Sequence, residues 1–308
     1  MAVILIHVVS GTVSNATVPL DVRLTGVLHA VHMLMNWSVP VFFMITGYCI
    51  LGKESYTYQA AGSKVLKYVL VLFTVGLSFA LLEEFFIQRT ISLPMIFRSL
   101  GHVVSGNLWD HMWYVYAIIG IYLVLPVLHL FMKTDAKNRW ILTGLLFVFT
   151  VLLPTLAPWM TLGVEFPFGG YCFYVCFGGM VAYGDLGKKA KYGALICGVA
   201  ALLWMLCHHG QDFGYLSLPI CLLAGSIFVG FSSIPAKPNR LVLSVSQCTW
   251  GIYLLHPLFI NVATKLLHID FLSHMPYLKL TVFAPVVFLL SLGTTYGLRN
   301  IPILKKLF

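Results

Sequence analysis

Apolar residues run through this chain in long blocks separated by short polar ones, without the period-two alternation of a strand. A block of about 20 apolar residues matches the hydrocarbon thickness that a helix must cross, whereas an outer-membrane barrel needs short alternating segments. The pattern predicts ten helical spans: a first ending near residue 13, then 33–52, 66–88, 112–132, 139–158, 169–184, 191–208, 215–233, 247–266 and 277–298. Pro94 and the stretch 96–105 predict a short re-entrant or interfacial helix before the fourth span. The glycine pairs of FGGY and FGGM flank a short sixth span, where small residues let helices approach closely. No repeat, low-complexity tract or soluble domain interrupts the pattern. The expected fold is an all-α polytopic membrane protein, with residues 1–308 forming one transmembrane domain.

The first block, MAVILIHVVSG, is anomalous in two ways. It is too short to span a bilayer, and His7 lies in its middle. An imidazole in hydrocarbon loses its water and needs a partner, a cavity or a role, so an intramembrane histidine is a functional candidate by default.

Composition agrees with the pattern. The chain is 59% hydrophobic and only 9% charged, against about 25% charged in soluble domains. The formal charge of +9 does not imply nucleic acid, because the cations sit in short loops between spans. Those near 53–67, 133–139, 188–191, 237–240 and 299–306 fall on one side; Arg23, Arg89, Arg98, Lys265 and Lys279 fall on the other. The positive-inside rule then places both termini in the cytoplasm. Histidines and acids populate the outer side, among them His29, His32, His102, Asp110, His111, Glu165 and Asp270. Cations inside and titratable groups outside suit a task that joins an anionic, phosphate-bearing ligand to a polyol, a sugar or a proton. The seven cysteines are scattered through apolar runs and form no disulfide framework. His29 and His32 share a helix face without a third ligand, so no metal site is expected.

Several residues are candidates for chemistry. His7 can take a proton from a hydroxyl near physiological pH; the structural alternative is a packed ring bonded to a carbonyl. Lys64 and Lys67, three apart at a helix start, share a face. In HMWYVYAIIGIYLVLPVL, Trp113 and Tyr114 read either as interfacial anchors or as the wall of a carbohydrate groove. Glu83 and Glu84, near the end of the third span, are expected to reach solvent. Glu165, before a glycine-rich span entry, is a candidate hydrogen-bond acceptor. For His256, in TWGIYLLHPLF, packing and function are evenly matched.

With these pieces in hand, the chain resembles the acyltransferase 3 family of bacterial membrane O-acyltransferases, particularly those that decorate enterobacterial common antigen. The resemblance rests on His7, VPVFFMITGY, HMWYVYAIIGIYLVLPVL, FYVCFGGMVAYG and GIYLLHPLF, in that order over nearly the whole chain. It implies a multi-pass protein of the bacterial inner membrane that moves an acyl group, usually acetyl, from cytoplasmic acetyl-CoA to a hydroxyl of an envelope glycan or lipid-linked sugar. Acyl-CoA is then a donor substrate, and no cofactor is held permanently. The first-helix histidine of the family maps to His7 as the catalytic residue. The paired arginines of the first cytoplasmic loop map to Lys64 and Lys67, as contacts to CoA phosphates without the bidentate arginine fork. Trp113, Tyr114, Glu165 and His256 would meet the acceptor or support the site. The family's arginine about ten residues before the histidine has no counterpart here, so the first helix is expected to be truncated, with either a start upstream of Met1 or a shortened gene as the explanation. A transporter or flippase, with helix breaks at Pro40, Gly47, Pro154 and Pro257, and a catalytically inactive membrane module remain the alternatives.

Overall fold

The computed structural model describes residues 1–14, 21–90, 92–160, 170–208, 210–235, 239–272, 275–302 and 304–308. All regular structure in these residues is helical. In chain order the helices are α1 (Ala2–Ser14), α2 (Val22–Met35), α3 (Ser38–Leu51), α4 (Tyr58–Val71), α5 (Leu77–Gln88), α6 (Leu93–Ser105) and α7 (Trp113–Met132). They continue as α8 (Ala136–Phe147), α9 (Leu153–Met160), α10 (Cys172–Tyr183), α11 (Lys188–Cys207), α12 (Leu218–Ser232), α13 (Arg240–Asn261) and α14 (Pro276–Arg299).

Three π turns, Leu72–Gly76, Val148–Leu152 and Val262–Leu266, join α4 to α5, join α8 to α9 and extend α13. Caps set the starts where the sequence supplies them. Asp21, Thr57, Ser92, Asp135 and Asn239 each accept a backbone N–H from the first turn that follows.

Among the described residues, six helical stretches are long and apolar enough to cross a membrane, counting α2–α3, α4–α5 and α8–α9 as continuous. Ala2–Ser14, Cys172–Tyr183 and Leu218–Ser232 are apolar but shorter. The helices differ from the apolar pattern at polar ends and at α2, most of which lies outside the predicted spans. The third predicted span begins at Tyr58 instead of 66, because the Thr57 cap starts the helix while its first two turns are still polar. The stretch predicted at 33–52 straddles α2 and α3, which meet at Asn36 and Trp37. There the Asn36 amide donates to the Phe213 carbonyl at 3.1 Å, holding the junction to the loop before α12.

The tightest packing is between α3 and α10. A Cβ on Gly47 would lie 1.8 Å from the Val175 carbonyl oxygen, and one on Gly178 would lie 2.0 Å from that of Met44. The two backbones therefore touch, and only glycine fits at either position. Around this seam Phe43, Met44, Leu51, Leu125, Tyr174 and Met180 form the largest buried cluster. A second cluster joins α1 to α2, α13 and α14 through Ile4, Val8, Leu28, Ile252 and Val287. The Arg139 guanidinium grips the Asp185 carboxylate with two bonds, at 2.5 and 2.7 Å, and lies over the Tyr183 ring, tying α8 to the end of α10. The short α1 is thus a packed wall of the domain, and it delivers His7 against α13 and the start of α7.

Candidate functional site

Three imidazoles from distant parts of the chain meet. The His7 ring centroid lies 5.1 Å from that of His256 and 6.1 Å from that of His111; His111 and His256 are 5.6 Å apart. His7 comes from the middle of α1, His111 from the single 3-10 turn that opens α7, and His256 from the middle of α13. His111 is 2% exposed and His256 is not exposed at all.

Local chain chemistry fixes two of these rings. Tyr253 donates its hydroxyl to the His111 carbonyl, anchoring the turn. His256 directs Nδ1 at the carbonyls of Tyr253 and Ile252, at 2.7 and 3.2 Å. Both His111 nitrogens and His256 Nε2 are buried without a hydrogen-bond partner among the described residues. The Leu254 carbonyl lies near His111 but outside bonding geometry. Buried polar atoms are almost always paired, so three orphans at one place mark a site built for something else. Among the described residues, no three His, Cys, Asp or Glu side chains converge as a metal would require.

The cluster separates two spaces. On one side a cavity of about 540 Å³ is lined by His7, His111, Glu83, Trp109, Asp110 and Lys265, among others. Its wall is ordered by charge. Glu83 accepts from the Trp109 indole at 3.1 Å and from Lys265, while Trp109 stacks on Phe79 at 4.3 Å. Glu84, expected to reach solvent, is instead buried, because it accepts from Arg98, His102 and Gln88 and so holds the amphipathic α6 against α5. Polar groups around a flat indole suit a hydroxyl-rich ligand, which offers both donors and acceptors and an apolar face.

On the other side a gap of about 10 Å³, roughly the least that holds one water, is lined by His7, His111, Trp113, Tyr114, Tyr215 and Tyr253, among others. Trp113 and Tyr114 thus face inward; they line this gap and are not among the residues lining the large cavity. Trp113 stacks with Tyr215 at 5.3 Å, and Tyr114 packs on Phe43 at 4.9 Å. Burial, reinforced by Asp212, pushes the Tyr215 phenol up, so it stays a hydrogen-bonding hydroxyl. His256 belongs to the histidine cluster, and Glu165 lies outside the described residues.

From the cluster, rings lead toward the lysine-bearing end. Tyr253 stacks with Trp250 at 5.5 Å, and Trp250 meets Tyr68 edge-on at 5.1 Å. Lys67, next in sequence to Tyr68, is half-buried and within electrostatic reach of Lys64 and Arg299. Arg299 donates to Cys248 Sγ at 3.6 Å, and no carboxylate among the described residues pairs with any of the three cations. Three like charges gathered without a counter-charge form a place for an anion.

A family model for an acyltransferase domain, Acyl_transf_3, matches residues 1–299. The chain belongs to the acyltransferase 3 family. It is thereby placed among membrane enzymes that transfer acyl groups. No curated protein and no solved structure matches it.

Sequence reasoning about this acyltransferase missed His111, Arg299 and the glutamates. His111 is one of several polar residues before an aromatic helix, Arg299 is one of many topology charges, and Glu84 is expected at solvent; Glu83 does reach it, about one-third exposed, while also lining the cavity. The one available signal was chemical: a histidine directly before MWYVY must be either wet or partnered. Nothing in the sequence pairs it with residues 104 and 145 positions away.

Proposed function

We propose that this acyltransferase moves an acyl group, acetyl in the first instance, from cytoplasmic acyl-CoA to a hydroxyl of an envelope glycan or lipid-linked sugar, of which enterobacterial common antigen is one. The observation that carries this reading is that His7 borders both spaces, the polar cavity and the aromatic gap. A general base in acyl transfer must touch the acceptor hydroxyl while facing the thioester.

In this reading the protein lies in the bacterial inner membrane with both termini in the cytoplasm. Lys64, Lys67 and Arg299 hold the donor's phosphates there, and the acyl-bearing arm runs past Tyr68, Trp250 and Tyr253. From Trp250 to His256 is about 9 Å along the α13 axis. The acceptor occupies the cavity of Glu83, Trp109, Asp110 and Lys265, with its hydroxyl against His7. His7 removes the hydroxyl proton as the oxygen attacks the thioester carbonyl. The carbon–sulfur bond then breaks, and the thiolate takes the proton from the imidazolium. Trp113 and Tyr114 line the donor side instead of touching the sugar.

The test is transfer of label from acyl-labelled acetyl-CoA in membrane vesicles that contain the host's glycans and lipid-linked sugars. Wild type, His7→Ala and empty vector are compared. Label in a glycan with wild type and none with His7→Ala is expected. Transfer that survives the substitution removes His7 from its role. No transfer by wild type, in a folded protein, turns the reading toward a transporter or an inactive module.

A further inference from the structure

We infer that His256 is the positioning residue of the site: its Nε2 accepts a hydrogen bond from the His7 ring and so fixes which His7 nitrogen is free to take the hydroxyl proton. The inference rests on the acyl-transfer reading above and supplies the partner that reading lacks.

In a helix each N–H donates to the carbonyl four residues back, and proline has no N–H. Pro257 therefore leaves the Tyr253 carbonyl without its helical donor in the middle of α13. His256 fills that vacancy, with Nδ1 2.7 Å from the Tyr253 oxygen. A carbonyl oxygen can only accept, so Nδ1 must carry the proton. In the neutral ring Nε2 is then left as a bare acceptor, and it is buried and unpartnered. The HisPro pair thus holds an acceptor at a fixed place.

The ring closest to His256 among its described ring contacts is that of His7, at 5.1 Å between centroids and 49° between planes. Imidazoles at that separation, turned nitrogen to nitrogen, come within the roughly 2.7–3.2 Å of a hydrogen bond. The last side-chain torsion of histidine is soft, so the His7 ring can turn to bring a nitrogen toward His256 Nε2. His111 is a poorer partner for His7. It lies farther away, at 6.1 Å and edge-on, and neither of its nitrogens is committed by a bond, so it does not dictate a tautomer.

With His7 donating one ring N–H to His256, its other nitrogen holds the lone pair and faces the reacting hydroxyl. When that nitrogen takes the proton, the imidazolium keeps its bond to His256 Nε2, which steadies the new charge without proton transfer between the rings. Bond and proton counts are those of the acyl transfer already described.

The experiment is nitrogen-15 NMR of the full chain in lipid bilayers, labelled at histidine ring nitrogens and assigned by the signal lost in His7→Gln. In wild type we expect a single His7 tautomer and a scalar coupling across an N–H···N bond between His7 and His256. In His256→Ala the His7 signals should become a mixture of tautomers. In His256→Gln, whose amide oxygen can accept, the single tautomer should return, and His111→Ala should leave it unchanged. Acyl transfer should fall about tenfold or more in kcat for His256→Ala with both KM values within about twofold, and recover in part with glutamine.

No coupling in wild type overturns the inference, whether or not the variants fold. An unchanged His7 tautomer in His256→Ala, or an equal change in His111→Ala, overturns it too. A coupling present in a wild-type protein that transfers no acyl group keeps the pair and removes the acyl-transfer reading.

Discussion

Lys265 Nζ lies 2.9 and 3.0 Å from the two carboxylate oxygens of Glu83, joining the π turn after α13 to α5 across 182 positions of sequence. The pair is about one-third exposed on each side, so solvent screens it and its worth to stability is about 0.2–1 kcal/mol. Its larger effect is on the cavity wall, where it leaves one face of the Glu83–Trp109 unit balanced in charge.

Lys265→Met should therefore raise the acceptor KM severalfold and leave the donor KM unchanged, because an unpaired carboxylate then repacks against the indole. Steady-state kinetics with each substrate varied in turn checks this. The double variant Glu83→Gln with Lys265→Met, which keeps an acceptor for the Trp109 indole without an unpaired charge, should recover part of the loss. Equal shifts in both KM values would place the pair outside the acceptor site.

His7→Ala should lower kcat by about 10²–10⁴-fold, the range for loss of a general base. The substitution removes at most the one proposed bond to His256, about 0.5–1.5 kcal/mol, so the melting temperature of the purified protein should fall by no more than a few degrees. A large loss of stability with a parallel loss of rate would mean that the ring holds the cluster together and is not its base.

Neutralising the cation trio should act on the donor. Lys67→Gln and Arg299→Gln should each raise the donor KM about fivefold or more, the equivalent of about 1 kcal/mol for a lost charge-assisted contact. Lys67→Arg should retain binding. The donor KM of wild type should also rise with salt, since exposed charges are screened over about 10 Å at 0.1 M. A donor KM indifferent to both would place the phosphates elsewhere.

Gly47→Ala should be among the most damaging small substitutions, because its Cβ would overlap the Val175 carbonyl of α10 and force the two helices apart. A loss of several kcal/mol, or failure to accumulate, is the expected outcome of such overpacking. Gly120→Ala is the control. A Cβ there meets nothing within 4 Å, and the better helix propensity of alanine should leave stability equal or slightly higher. Thermal unfolding in detergent compares the two.

Much of the fold was legible because a bilayer imposes lengths and polarities that a chain must meet segment by segment. Apolar runs located the cores of most helices, though not of α2, and Pro94 announced α6. The start of α4 was not legible, since its polar first turns carry no apolar signal and only the Thr57 cap defines them. His7 stood out by chemistry alone, because an imidazole in an apolar run is costly wherever the run folds. Glu84 misled for the converse reason: its cost is met by Arg98, His102 and Gln88, and two of these lie on another helix.

The sequence by itself determined that this is a helical membrane protein, where the apolar cores of most of its helices lie and which short first segment holds an unusual histidine. Those properties follow from local composition against the thickness of a bilayer. Only the tertiary structure decided that His7, His111 and His256 form one cluster, that Glu83 and Lys265 order a cavity beside it, and that Arg299 joins Lys64 and Lys67. Each of these depends on how helices far apart in sequence pack, and small residues such as Gly47 and Gly178 set that packing through backbone contact that no single segment reveals.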